Sequence, residues 1–320
     1  MREITLIQAI REAFVQEMRR DEAVFIMGES VRGGVYPHTE GLIEEFGPDR
    51  VLDTPIAEAG LAGAGVGAAM AGYRPVVDLM YADFMYIAGD EIFLKAPMWR
   101  FTHGGKVNVP VVIMGAAGAG LMLGNEHSRM PTAMALHHPG LKVVVPSTPY
   151  DAKGLMTTAI RDNNPVIYLW HKNQFMKRGP VPEEEYTIPF GQAEVRREGT
   201  DVTVVAMSKV LDYAMETAEA LAGRISVEVI DPRTLEPFDL DAVLDSVEKT
   251  MRLVIVDEDT ERCGFAAELS AQVMEEGFDF LDAPVQRVCS ANYPIAGGYV
   301  EQYLLPNPAK IQAAIERVMA

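Results

Sequence analysis

Residues 53–84 read DTPIAEAGLAGAGVGAAMAGYRPVVDLMYADF. The Ala, Gly and Val that dominate its first part suit a helix packed closely against a neighbouring backbone or a ligand. RPVVDLM (74–80) then has strand length and consecutive apolar residues, the pattern of a strand buried on both faces. Runs of the same kind recur at AVFIMGES (23–30), VPVVIMG (109–115), LKVVVPS (141–147) and PVIYLWH (165–171). Segments of helical period separate them. Thr5 and Gln8 have the spacing of a capping box, and Leu6, Ile10, Phe14 and Met18 continue as a helical stripe. TEGLIEEFGP (39–48) reads as a short helix closed by Gly47 and Pro48. Alternation of this kind implies parallel crossovers, hence an α/β fold with an open, mostly parallel sheet and flanking helices.

The pattern breaks at KRGPVPEEEYTIPFGQAEVRREGT (177–200), rich in Pro, Gly and charge, which reads as a linker with a short edge strand. It resumes with DVTVVAMS, SVEVID, RLVIVDED and PVQRVCS, each separated by a helical segment. Two open-sheet domains follow: residues 1–180, a linker over 181–197, and residues 198–320. In such sheets ligands bind beyond the carboxyl ends of the strands, so chemistry is expected just after each apolar run.

A formal charge of −18 over 320 residues argues against nucleic acid as a partner, since a phosphate backbone needs a basic face. No apolar run reaches bilayer length, and MREITLIQAIREAF carries charge where a signal peptide would be apolar. Only Cys263 and Cys289 are present, which fits a reducing, cytoplasmic setting without a disulfide framework.

Gly63-x-Gly65-x-x-Ala68 matches a dinucleotide fingerprint superficially, but DTPIAEA, not a full apolar strand, precedes it. AAGAGLMLG (116–124) lacks the Lys-Ser/Thr ending of a P-loop and reads as a flexible loop lining a site. Glu58 is the one ionisable group between Thr54 and Tyr73. It is either a first-turn acid favoured by the helix dipole or a carboxylate held beside a ligand for proton transfer. The apolar surroundings favour the second reading, because an unpaired buried acid is costly. Tyr81, Asp83 and Phe84 sit at a strand's carboxyl end, where an aromatic is either core or a stacking platform for a flat heterocycle. His127 lies in NEHSRMP (125–131) beside Glu126, either as a surface residue or as an acid–base group. His38, His103, His137, His138 and His171 show no metal-ligand spacing, so no metal site is expected in this chain.

In order, DTPIAEAG, GYRPVVDLMYADF, a glycine-rich loop, a His-Ser pair, PGLKVVVPSTPYDAKGL and VEVIDPRTLEPFD resemble the beta subunit of the thiamine-diphosphate-dependent component of 2-oxo acid dehydrogenase complexes. VDED followed by ERC (256–263) is especially similar to acetoin dehydrogenase beta subunits. The resemblance covers nearly the whole chain. It implies a transketolase-like pyrimidine-binding domain followed by a transketolase C-terminal-like domain. It also gives Glu58 a role, as the carboxyl group at N1′ of the aminopyrimidine that generates the cofactor's reactive carbanion. Phe84 corresponds to the aromatic packed on the pyrimidine, with Met80 nearby, and His127 to the histidine facing the reacting carbon.

Thiamine enzymes hold the diphosphate and magnesium with a Gly-Asp-Gly segment and a later Asn-Asn. Here Asn163-Asn164 lacks the upstream partner. The resemblance therefore implies an alpha subunit bringing the diphosphate and most of the magnesium site, in an α2β2 tetramer. It also implies a small 2-oxo acid or acetoin as substrate, and a lipoyl acyltransferase core as a further partner. Departures from the family pattern fall at Asp90-Glu91-Ile92, Glu126, Arg129, Pro131, Trp170-His171-Lys172 and YPIAGGYVEQYLLP (293–306). They leave open a split transketolase-like enzyme that moves a two-carbon unit without lipoamide, and a non-catalytic scaffold subunit.

Overall fold

The computed structural model describes residues 2–320, which fall into two compact units. The first comprises the chain up to Ala117 together with Met134–Phe190, and the second comprises Gly118–Ala133 with Gly191–Ala320.

The strands of the first unit are β1 (Arg2–Thr5), β2 (Val24–Gly28), β3 (Val51–Asp53), β4 (Arg74–Tyr81), β5 (Val112–Ala117), β6 (Lys142–Val144), β7 (Val166–His171) and β8 (Arg178–Val181). Six lie side by side in the order β6-β7-β5-β4-β2-β3, and every pairing among them is parallel. The remaining two, β1 and β8, pair antiparallel. The helix Leu6–Arg20 opens with the expected reciprocal capping box between Thr5 and Gln8. Its stripe of Leu6, Ile10, Phe14 and Met18 is fully buried and joins the helix Pro149–Arg161 in one core. Leu42–Phe46 is the short helix expected over 39–48, ended by Gly47 at φ 79°.

The small-residue segment forms the helix Glu58–Met70, which buries Leu61, Ala62, Val66 and Ala69. Gly63 and Gly65 lie inside this helix and not in a strand-to-helix turn, so neither cradles a phosphate. Gly65 is required by close packing: a Cβ there would overlap the Val77 side chain of β4.

The second unit holds β9 (Glu194–Arg197), β10 (Val202–Ala206), β11 (Val227–Asp231), β12 (Thr234–Glu236), β13 (Leu253–Thr260) and β14 (Gln286–Ser290). Its sheet runs β14-β13-β10-β11-β9. All pairings are parallel except that of the edge strand β9, which lies antiparallel to β11. Helices Ser208–Ala220 and Pro308–Met319 pack on this sheet over a core of Val204, Val229, Val254, Leu211 and Ile315. The fold is thus two mostly parallel sheets with flanking helices. No helix among the described residues is long and apolar enough to cross a membrane.

Candidate functional site

Parallel pairing puts the carboxyl ends of β2, β3 and β4 on one edge of the first sheet. The chain leaves β3 at Asp53 and enters a helix at Glu58. Ala57 offers no side-chain cap, so the first-turn acid stands alone at the helix start. Glu58 is only 8% exposed, yet its carboxylate has no hydrogen bond or ion pair among the described residues. A carboxylate on a buried residue without a protein partner is open to a donor from a ligand. A flat heterocycle with a ring nitrogen to share a proton would supply one, so the residues present fit such a group.

At the end of β4 the chain departs from regular pairing. The register with β5 shifts between Asp78 and Tyr81, and Met80 takes a positive φ of 63°. Asp78 stabilises this bulge through two bonds. Its Oδ1 accepts the Met80 N–H at 2.9 Å, and its Oδ2 lies 2.7 Å from Nε2 of His38. With the carboxylate ionised, Nε2 carries the shared proton. His38 is 1% exposed and its Nδ1 has no hydrogen-bond partner among the described residues. Trp170, Tyr36 and Phe14 pack around the imidazole. Beyond the bulge, Ala82–Tyr86 is a single 3-10 turn that carries Phe84, whose ring meets Tyr81 edge-on at 5.9 Å. Close approach of β5 to this turn requires Gly115, where a Cβ would come within 2.8 Å of the Ala82 nitrogen. Met80 and Phe84 are therefore brought together on one constrained segment, on the same sheet edge as the start of the Glu58 helix.

His127 lies elsewhere, on residues 118–133, which group with the second unit although they follow β5 in the chain. The half-buried ring sits in a 3-10 turn, Asn125–His127, whose last N–H donates to Gly124 O at 3.2 Å. The Gly118 N–H donates to Arg129 O at 2.7 Å and closes the loop at its base. Carboxylates from β13 and beyond hold the rest. Ala119 N–H donates to Glu258 Oε1 at 2.5 Å, and Gly120 N–H donates to Glu301 Oε1. Asp259 Oδ2 accepts from Thr132 Oγ1 at 3.1 Å and from Ala133 N–H at 3.0 Å. Burial pushes the Asp259 carboxyl up, against these bonds, which pull it down.

Among the departures from the family pattern, Trp170 and His171 are fully buried packing residues of β7, and Lys172 lies over the Tyr81 ring at 6.0 Å. Glu126 and Arg129 are exposed. Sequence reasoning passed over Asp78, Glu258 and Glu301, and set His38 aside as a loop residue. The signal for Asp78 was visible as an acid inside an apolar run; those for Glu258 and Glu301 were not, because their partners lie more than a hundred residues away.

The transketolase pyrimidine-binding domain family matches residues 2–177, and the transketolase C-terminal domain family matches residues 191–311. The beta subunit of an acetoin:2,6-dichlorophenolindophenol oxidoreductase from Cupriavidus necator is 44% identical, over 99% of this chain and 98% of its own. The beta subunit of a pyruvate dehydrogenase E1 component from Rickettsia felis is also 44% identical, over 99% and 98%. The chain belongs to the beta subunits of acetoin and 2-oxo acid dehydrogenases. A further relative in this beta-subunit family, from a Bacillus subtilis 2-oxoisovalerate dehydrogenase, is 39% identical over 98% of each chain. Among solved structures, a chain described as "Split gene transketolase, inactive beta4 tetramer" superposes with a TM-score of 0.80 at 21% identity, covering 99% of this chain and 98% of its own. That likeness is one of fold. As a dehydrogenase beta subunit, the chain is an oxidoreductase component, and its residues 2–177 match a domain family named for pyrimidine binding.

Proposed function

We propose that this chain is the beta subunit of a thiamine-diphosphate-dependent dehydrogenase component that acts on a 2-oxo acid or acetoin and is active only with an alpha subunit. The observation that carries the proposal is the Glu58 carboxylate, buried at the head of a small-residue helix and left without a protein partner. Glu58 shares a proton with N1′ of the pyrimidine ring. Phe84 supplies a ring face for the pyrimidine, and Met80, on the strained bulge, adds apolar contact. His127 takes and returns protons of the bound substrate. Thiamine diphosphate, when bound, would supply a nucleophilic carbon for the substrate carbonyl. The diphosphate and its magnesium ion belong to the alpha subunit, in an α2β2 assembly, and a lipoyl group on an acyltransferase core is the acceptor.

Replacing Glu58 by Gln in the reconstituted α2β2 enzyme should lower kcat by at least about a hundredfold, the scale of a lost acid–base group. Unchanged turnover would remove Glu58 from the role and the proposal with it. The altered Glu126 and the 293–306 segment favour one alternative, transfer of a two-carbon unit to a carbonyl acceptor. Turnover without any acyl-lipoamide, in the presence of a lipoyl acceptor, would decide for that alternative.

A further inference from the structure

Glu301 belongs to the 293–306 segment that departs from the family pattern. It is 2% exposed, its Oε1 accepts the Gly120 N–H, and its Oε2 has no hydrogen-bond partner. A buried carboxylate is costly unless bonded, and among the described residues this one is bonded to the glycine-rich loop alone. Glu258, 7% exposed, takes the preceding N–H of the same loop, that of Ala119. Gly118 and Gly120 lie at φ 84° and 95° around these donors. Successive backbone N–H groups turned outward in this way make an anion-binding concavity, filled here by two of the protein's own carboxylates. Ser290 Oγ donates to Glu258 O at 2.5 Å, fixing the strand end from which Glu258 reaches.

Elsewhere the loop is closed at its base by the Gly118 N–H donating to Arg129 O. Its tip, Leu121, Met122 and Leu123, is exposed and adds nothing to a core. Met122 takes a positive φ of 59°, an unfavourable backbone conformation for a side chain with a Cβ. Beyond the tip the chain turns into Asn125–His127.

We propose that Glu301 and Glu258 are positioning residues, which grip consecutive N–H groups of the 118–124 loop and so set where His127 stands. The proposal rests on the acid–base role given to His127 above. The 293–306 segment thus acts on turnover through the backbone of the His127 loop.

The test uses the α2β2 enzyme with thiamine diphosphate, reading amide hydrogen exchange of the 118–129 segment alongside steady-state kinetics. Glu301→Ala should speed exchange at Ala119 and Gly120 about tenfold or more, by freeing the loop to open locally. It should lower kcat about tenfold, the scale of a misplaced catalytic group, while KM for the cofactor stays within about twofold. Glu301→Gln keeps an acceptor oxygen and should restore both. If Glu301→Ala does not assemble, Glu301→Asp withdraws the carboxylate by one methylene and should show the same loosening. Unchanged exchange would overturn the grip. Faster exchange with unchanged kcat would overturn the positioning of His127, as would a fall in kcat that Gln does not rescue. A His127→Ala enzyme with full activity would instead strike the role of His127, and the exchange result would still decide whether the carboxylates hold the loop.

Discussion

Asp78 sits within RPVVDLM, where an apolar strand has no need of an acid, and its two oxygens reach different partners: the Met80 N–H and His38. One carboxylate thus satisfies a bulged backbone and a buried imidazole together. Asp78→Ala leaves both donors without an acceptor in a buried place, so unfolding free energy should fall by about 2–4 kcal/mol in urea titrations. Asp78→Asn keeps an oxygen for the Met80 N–H and should lose about 1 kcal/mol. A loss below about 0.5 kcal/mol for the alanine variant, the usual size of a surface change, would mean that the bulge stands without Asp78. Legibility at this scale was uneven. Glu58 could be singled out because everything near it in sequence is Ala, Gly or Val. Asp78 was equally anomalous, but the partner that explains it is 40 residues earlier, on a turn that no periodicity announces. Met80, Phe84 and His127 became candidates with roles only through the resemblance.

The long apolar runs all became strands, because consecutive Val, Ile and Leu positions buried on both faces suit no other element of that length. The three-residue strand Val51–Asp53 was too short to show as a run, and it is what aligns the start of the Glu58 helix with the end of β4. Residues 118–133 follow β5 without a break, yet carboxylates 139 and 181 positions away in sequence bind their backbone, a pairing no local pattern encodes. On β13 the row Asp257, Glu258, Asp259 serves three segments. Asp257 receives the N–H of Ala266 at 3.2 Å, at the start of the helix Phe265–Glu276, and that of Asp259 at 3.0 Å. Burial first, and then the charge of Asp259, raise the carboxyl to about 7 against the pull of those two N–H bonds. The neighbouring Cys289 thiol is pushed up to about 12, mainly by burial. The folded protein therefore keeps the Asp257 proton to higher pH than the unfolded chain, whose carboxyl titrates near 3.8. Between those values the folded state binds more protons, so this group's contribution makes stability fall as pH rises toward 7 and level off above it. Asp257→Asn does not titrate. Its melting temperature relative to the native protein should rise between pH 5 and pH 8, and a difference independent of pH would show that Asp257 is already ionised at the lower end.

At the scale of the whole molecule, the first unit presents Ile87, Leu94, Met98 and Phe101 at 59%, 51%, 48% and 87% exposure. The last three recur at helical spacing along 90–102, and apolar side chains gathered in this way mark an interaction surface more often than a solvated one. The net charge of −18 repels polyanions, but it does not cover this face. In the proposed function Glu58 serves the pyrimidine, and the sequence has no Gly-Asp-Gly segment for the diphosphate. Both features call for a second polypeptide. Native mass spectrometry of the protein drawn from its own cells, with thiamine diphosphate and magnesium present, should show two copies of this 35.1 kDa chain with two of another, carrying cofactor. A homodimer without cofactor and without a recovered partner would turn the balance toward a scaffold. A homodimer loaded with thiamine diphosphate would refute the split site directly, since the diphosphate would then be held by residues of this chain alone.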